Sequence, residues 1–147
     1  MTWESLVQEK KLQPHRTSRE EIGDLLKVAD RGRKDAESES ISLDLRFAAA
    51  YNAALSLTTV ALAASGYRTM GTGHHATSFL ALPLALRAEA KRLATYLNSC
   101  RRKRNVVEYR KVGEVTEVEL GQLLTTTGQL REDVLRWLGE HHPTLAP

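Results

Sequence analysis

The chain has 147 residues, of which 41% are hydrophobic and 27% charged, a balance typical of one globular domain and not of a disordered chain. Its formal net charge of +3 is too small to mark the whole chain as a nucleic-acid-binding protein. The single cysteine, Cys100, excludes an internal disulfide, and no charged segment precedes an apolar run as in a secretory signal, so we expect a cytoplasmic protein.

The N-terminal residues 1–16 contain only one short helical candidate, and we interpret them as an extension of a helical domain over residues 17–147. Ser18 and Glu21 have the spacing of a capping box and predict the start of the first clear helix. An apolar stripe with helical period follows, at Ile22, Leu25, Leu26 and Ala29. The charged residues 30–40 either continue this helix or form a linker.

A second helix is predicted from Leu43 to Ser65, with Gly66 as its C-terminal stop. The uncharged part of this segment is long enough to cross a membrane. However, it is rich in alanine and carries polar residues, which favour a central helix of a bundle. We therefore expect no membrane span.

Two more long helices are predicted after a glycine-containing loop over residues 67–76. Thr77 or Ser78 is expected to cap the third helix, which runs to about Arg104 and which Pro83 bends or delays. Thr116 and Glu119 form a second capping box at the start of the last helix. Since no segment predicts a strand, we expect an all-α fold, an up-and-down bundle of four to five helices.

Basic charge is concentrated between residues 87 and 111, where nine Lys or Arg stand against two Glu. This segment carries +7, so the rest of the chain carries −4. A local concentration of this kind indicates a binding site for an anionic partner. It is also typical of a solvated helix end, where cations lie near the negative pole of the helix dipole.

The core of the basic segment is the run Arg101, Arg102, Lys103, Arg104, Asn105, Val106, Val107, Glu108, Tyr109. Asn105 can orient the neighbouring guanidinium or hydrogen-bond a ribose or phosphate, and the two valines indicate that this part packs against something. Tyr109 lies close to the same helical face as Arg104. Arginine forks and a phenol suit the recognition of phosphates and bases. Tyr109 could equally be a core tyrosine that closes the helix end.

The adjacent His74 and His75 form the second ionisable group of interest. They could be half of a zinc site, but no Cys or second His pair at ligand spacing completes it, so we predict no metal and no cofactor. The loop could instead fold over Arg104 and supply an imidazole, or its polar groups could simply cap the third helix.

The order of these features resembles the HEPN domains, small helical bundles found in prokaryotic toxin–antitoxin and defence systems. The matching pieces are an alanine-rich helix with Ala50-Tyr51-Asn52-Ala53-Ala54, then Gly66-Tyr67-Arg68, Gly73-His74-His75, and a long helix that ends in Arg104-Asn105-x-x-x-Tyr109. The resemblance covers roughly residues 18 to 142, and its motifs are short.

The resemblance implies a homodimer in which the motif residues of two protomers face each other across one cleft. Active members are metal-independent endoribonucleases, in which an Arg stabilises the charge on the phosphate and a nearby His moves protons during attack by the ribose 2′-hydroxyl. Arg104 and Asn105 match the first half of that motif, whereas Tyr109 occupies the place of the His. A phenol with a pKa near 10 is a poor general base at neutral pH, so family catalysis should be weak or absent unless that pKa is lowered.

Two functions therefore stay open. In the first, the protein binds RNA or a nucleotide through Arg104, Asn105 and Tyr109, supported by Arg101, Arg102 and Lys103, and is a weak or inactive endoribonuclease. In the second, it is a non-enzymatic helical module that partners a small nucleotidyltransferase or an antitoxin. Tyr109 is then a candidate for modification by the nucleotidyltransferase, since such enzymes can modify a Tyr near this motif.

Overall fold

The computed structural model describes residues 1–109 and 112–147, except for the side chains of residues 108 and 109. The helices in this part of the chain are α1 (Trp3–Gln8), α2 (Arg19–Ala36), α3 (Leu43–Ala64), α4 (His74–Leu86), α5 (Lys91–Tyr109) and α6 (Glu117–His141). Two short strands, β1 (Leu12–Pro14) and β2 (Tyr67–Thr69), and one 3-10 turn (Ala88–Ala90) complete it. The predicted all-α helical bundle is confirmed.

Helix α3 forms the centre of the bundle and packs against α2, α4, α5 and α6. Its alanines let the neighbouring helices approach closely, and its buried hydroxyls are satisfied within the fold: Ser56 donates to the carbonyl of Leu25 at 2.7 Å and Thr58 to that of Ala54 at 2.9 Å. Among the described residues, α3 is the one helix long and apolar enough to cross a membrane. Its most apolar stretch is 72% buried by the rest of the molecule.

The N-cap residues of both predicted capping boxes cap their helices, but only one of the two boxes is complete. The Thr116 hydroxyl accepts from the amide of Glu119, and the Glu119 carboxylate accepts from the amide of Thr116. The Ser18 hydroxyl likewise accepts from the amide of Glu21. The Glu21 carboxylate does not return that bond, because it pairs with His15 instead, at 2.7 Å. The charged segment after residue 29 continues α2 as far as Ala36.

The prediction of the third helix is wrong in the residue at which the helix begins and in treating the segment as one continuous helix. It begins at His74 and not at Thr77 or Ser78, because Gly73 in the left-handed region, at φ 70°, turns the chain into the helix without a capping side chain. It ends at Leu86, since Arg87 lies at φ 102° and breaks the helical path. The segment is therefore two helices, α4 and α5, with the 3-10 turn between them.

The expectation that the chain contains no strand is also wrong. Strands β1 and β2 pair antiparallel, with Leu12 opposite Thr69 and Pro14 opposite Tyr67. Each has only three residues, too few to show an alternating pattern in the sequence. The pairing holds the N-terminal segment on the bundle, where Leu12 is buried in a small second core that also contains Leu6, Leu62 and Ala81.

Candidate functional site

The basic run of α5 is distributed over different faces of the helix. The Lys103 ammonium lies 3.3 Å from a carboxylate oxygen of Glu119 and so faces α6. Arg102 is exposed beside α4. Arg101 and Arg104, three residues apart, share a third face, which looks towards α3 and the start of α4. This third face brings the Arg104 guanidinium to a buried polar group.

The buried polar group is Tyr51 of α3, whose side chain is fully inside the protein. The guanidinium carbon of Arg104 lies 5.5 Å from the centroid of its ring, a cation–π contact. Its hydroxyl is 3.1 Å from Nδ1 of His75, and the ring of Phe79 packs edge-on against it with centroids 5.8 Å apart. Arg104 and His75, predicted from separate parts of the sequence, therefore meet on one tyrosine. We name these three residues the Arg104–Tyr51–His75 cluster.

The position of His75 follows from the start of α4. Because Gly73 opens this helix, His75 is its second residue and lies in the first turn, where backbone N–H groups are unpaired and the helix dipole is positive. The imidazole reaches Tyr51 from this turn. The cluster and its neighbour Arg101 therefore bring two guanidinium groups, a helix N-terminus and an imidazole together, an arrangement that attracts an anion.

The protonation states of the cluster suit neutral pH. Burial raises the pKa of Tyr51 to about 12, against the opposing effect of Arg104 and Arg101, so the phenol keeps its proton. Burial also lowers the pKa of His75, and the neighbouring His74, Arg104 and Arg101 lower it further. Since an ordinary imidazole has a pKa near 6.5, His75 is predominantly neutral at pH 7.

A neutral imidazole next to a phenol can serve as a proton acceptor in one of its two tautomers. When the Nδ1–H of His75 donates to the Tyr51 oxygen, Nε2 carries a free lone pair. The reverse bond, with the phenol donating to Nδ1, leaves a hydrogen on Nε2. The heavy-atom distance of 3.1 Å fits both arrangements. The cluster can thus hold an anion and accept a proton.

The remaining predicted site residues lie around the cluster or outside the described part of the chain. His74 is exposed, with its ring perpendicular to that of His75 at a centroid distance of 4.6 Å. Asn105 is half-buried. Tyr109 is the last residue of α5, and its side chain lies outside the described residues. Within the described part of the chain, no three His, Cys, Asp or Glu side chains come together to hold a metal ion.

Tyr51 is the functional candidate that analysis of the sequence did not single out. The signal was present, because a tyrosine in a helix of alanines carries a polar tip into an apolar environment and needs a hydrogen-bond partner there. The partner is His75, 24 residues further along the chain.

Comparison of the chain with protein-family models, with curated proteins and with solved structures gave no match.

Proposed function

We propose that this protein binds RNA at the Arg104–Tyr51–His75 cluster, as an HEPN-like protein in which His75 takes the place of the histidine that the motif lacks at Tyr109. The observation that supports this proposal is the convergence of the Arg104 guanidinium and the His75 imidazole on Tyr51. The guanidinium forks of Arg101 and Arg104 bind the phosphate, while Asn105 contacts the ribose or phosphate. The acting species is a homodimer, in which two such sites line one groove.

A neutral His75 also gives the site a route to metal-independent cleavage. Nε2 of His75 accepts the proton of a ribose 2′-hydroxyl while that oxygen attacks the adjacent phosphorus. The bond from phosphorus to the 5′-oxygen breaks and the leaving oxygen takes a proton from water. The hydroxide so formed takes the proton from His75, which restores the neutral imidazole, and a 2′,3′-cyclic phosphate remains. Arg104 stabilises the charge that builds on the phosphate oxygens. Tyr51 orients the imidazole through their hydrogen bond, and Nε2 acts as the base in the tautomer whose Nδ1–H donates to the phenol.

The binding proposal is tested with labelled single-stranded RNA and fluorescence anisotropy over a range of salt concentrations. Replacing Arg104 with Ala should weaken binding and make the negative slope of log affinity against log salt shallower by about 0.7, the value for one lost phosphate contact on a single strand. Lys103→Ala is the matched control, because it removes the same charge from the same helix on the face that pairs with Glu119. Equal losses in the two variants would show that only the total charge matters, against a defined site.

The cleavage step is tested separately, with the RNA products analysed by mass spectrometry. A cyclic phosphate should form in the presence of EDTA, and both His75→Ala and Arg104→Ala should abolish it. Because the reactive form of His75 is neutral and its pKa is lowered, the rate should fall only when the pH drops below about 6.5. If diverse RNAs stay intact with protein that binds them, the site binds without cleaving, and the catalytic part of the proposal is wrong.

A further inference from the structure

A second surface lies on the other side of α5 and shares no residue with the cluster. Helices α4 and α5 are joined by a short turn and run antiparallel, and an open groove of about 930 Å³ lies along the face they share. Ala76, Leu80 and Leu84 of α4 and Ala94 of α5 line its floor. The α5 residues of this wall extend from Lys91 to Arg102, a length of about 16 Å or three helical turns.

The groove combines an apolar floor with cationic edges. Leu80 is 47% exposed although it stands in the middle of the floor. The ionisable side chains among the described lining residues are Lys11, Lys91 and Arg102, all cations, and none of the described lining residues is acidic. Lys11 also pairs with Glu9 at 3.4 Å, so Lys91 and Arg102, at opposite ends of the α5 wall, carry most of the positive edge.

We propose that this groove binds an acidic amphipathic helix of a partner protein. Three turns of such a helix match the length of the wall, with apolar side chains at every third or fourth position on the floor and carboxylates against Lys91 and Arg102. A nucleic acid fits this surface less well, because the described lining residues offer leucine, alanine and proline but no aromatic ring on which a base could stack.

The position of the groove connects it to the candidate site. One end is lined by Thr72, Gly73 and Ala76, which flank the two histidines of the first turn of α4. Arg102 faces the groove while Arg101 and Arg104 face the cluster, so α5 is the wall between the two surfaces. A bound partner helix therefore lies next to the turn that holds His75.

The experiment uses the full chain and two labelled 14-residue peptides, measured by fluorescence anisotropy. Both peptides are amphipathic helices with leucine on one face, flanked by Glu in one and by Lys in the other. The Glu peptide should bind and the Lys peptide should not. Leu80→Ser should weaken binding of the Glu peptide about tenfold, since half of a leucine side chain loses its apolar contact. Val28→Ser is the matched control, because Val28 is 49% exposed on α2, and it should change nothing.

Charge reversal then separates this proposal from the proposed function. The double substitution Lys91→Glu and Arg102→Glu should reverse the preference, so that the Lys peptide binds and the Glu peptide does not. Arg104→Ala should leave peptide binding unchanged, because Arg104 faces the cluster. The proposal is overturned if the Glu peptide does not bind, if both peptides bind alike, or if the Val28 variant loses as much as the Leu80 variant. It is also overturned if Leu80→Ser weakens RNA binding as much as peptide binding, which would make the groove part of the RNA site.

Discussion

At the scale of single residues, Tyr51 positions the other two members of the cluster. Its buried phenol fixes His75 by a hydrogen bond and supports Arg104 on its ring face, and thus holds a proton acceptor and a cation side by side. A cation next to an imidazole opposes protonation of the imidazole. The residue that we propose to bind the phosphate therefore also favours the neutral form of the His75 imidazole.

This coupling predicts that Arg104→Ala raises the pKa of His75. The substitution removes one of the positive charges that lower it, whereas burial, the largest cause, stays. The pKa should therefore move towards the ordinary value of about 6.5 without passing it. The measurement is an NMR titration of the imidazole ring protons of His75.

Lys103→Ala provides the comparison for that titration. This substitution removes the charge of the residue next to Arg104, which faces α6, and should leave the pKa of His75 unchanged. An equal rise in both variants, or none in either, would mean that Arg104 does not act on His75 as the geometry implies.

Arg87 carries the clearest backbone strain. It is not a glycine, yet it lies at φ 102° and ψ 169°, a region that costs a side chain about 1–3 kcal/mol. Arg87→Gly removes that strain. Glycine also destabilises the folded state by about 0.5–1 kcal/mol, because it is more flexible in the unfolded chain. We expect a net gain of about 1 kcal/mol in the free energy of unfolding, measured with urea. Arg87→Ala keeps the strained backbone and should bring no gain in the free energy of unfolding. A gain in this variant would mean that the arginine side chain, and not the backbone conformation, is the source of the strain.

The sequence indicated Arg104 and His75 of the cluster but not their contact with Tyr51. Arg104 is visible in the basic run and His75 in its loop, because both are polar residues in unusual local settings. Their convergence on Tyr51 depends on how α3, α4 and α5 pack, and no local pattern encodes that packing. Local patterns likewise do not show that Lys103 is directed away to Glu119.

At the scale of elements, the helices were predictable where a cap or an apolar stripe marks them. The starts of α2 and α6 follow from Ser18 and Thr116, and α3 ends before Gly66 as expected. The break between α4 and α5 was not predictable, because Arg87 is an ordinary helix-forming residue and nothing in the local sequence indicates its positive φ. The same holds for β1 and β2, whose pairing joins distant segments.

The crossing of α2 and α3 depends on the absence of a side chain at Gly32. A Cβ atom there would lie 2.8 Å from the carbonyl oxygen of Ala49 and 3.2 Å from Cβ of Ala53, so the two helices would have to move apart. We expect Gly32→Ala to lower the free energy of unfolding by about 1–3 kcal/mol, measured by chemical denaturation.

Gly23→Ala in the same helix is the matched control for that crossing. Nothing lies within 4 Å of a Cβ at this position, so the substitution should stabilise the protein by up to about 1 kcal/mol through helix propensity alone. Opposite signs at the two glycines separate close packing from propensity. Equal signs would contradict the tight crossing.

At the scale of the whole molecule, three exposed apolar residues, Leu45, Val112 and Val118, belong to the start of α3, the turn before α6 and the first turn of α6. Val112 is 92% exposed, Val118 80% and Leu45 61%. The carboxylate of Asp44 accepts from the amide of Gly113 at 2.8 Å, which holds the turn before α6 against the start of α3 and so brings these residues to one end of the bundle. Exposed apolar patches of this kind mark interaction surfaces.

This patch predicts where two copies meet in the proposed homodimer. Arg104 lies five residues before the end of α5, so an interface at this end of the bundle would bring the ends of α5 from two subunits near each other, as the proposed shared RNA groove requires. Val118→Asp places a charge in the interface and should convert the dimer to a monomer in sedimentation experiments, with weaker RNA binding. Val28→Asp, at an exposed site on α2 outside the patch, should leave the dimer intact. A wild-type protein that binds RNA but stays monomeric at all concentrations would contradict the shared groove. RNA would then bind to a single subunit, because the Arg104–Tyr51–His75 cluster lies entirely within one chain.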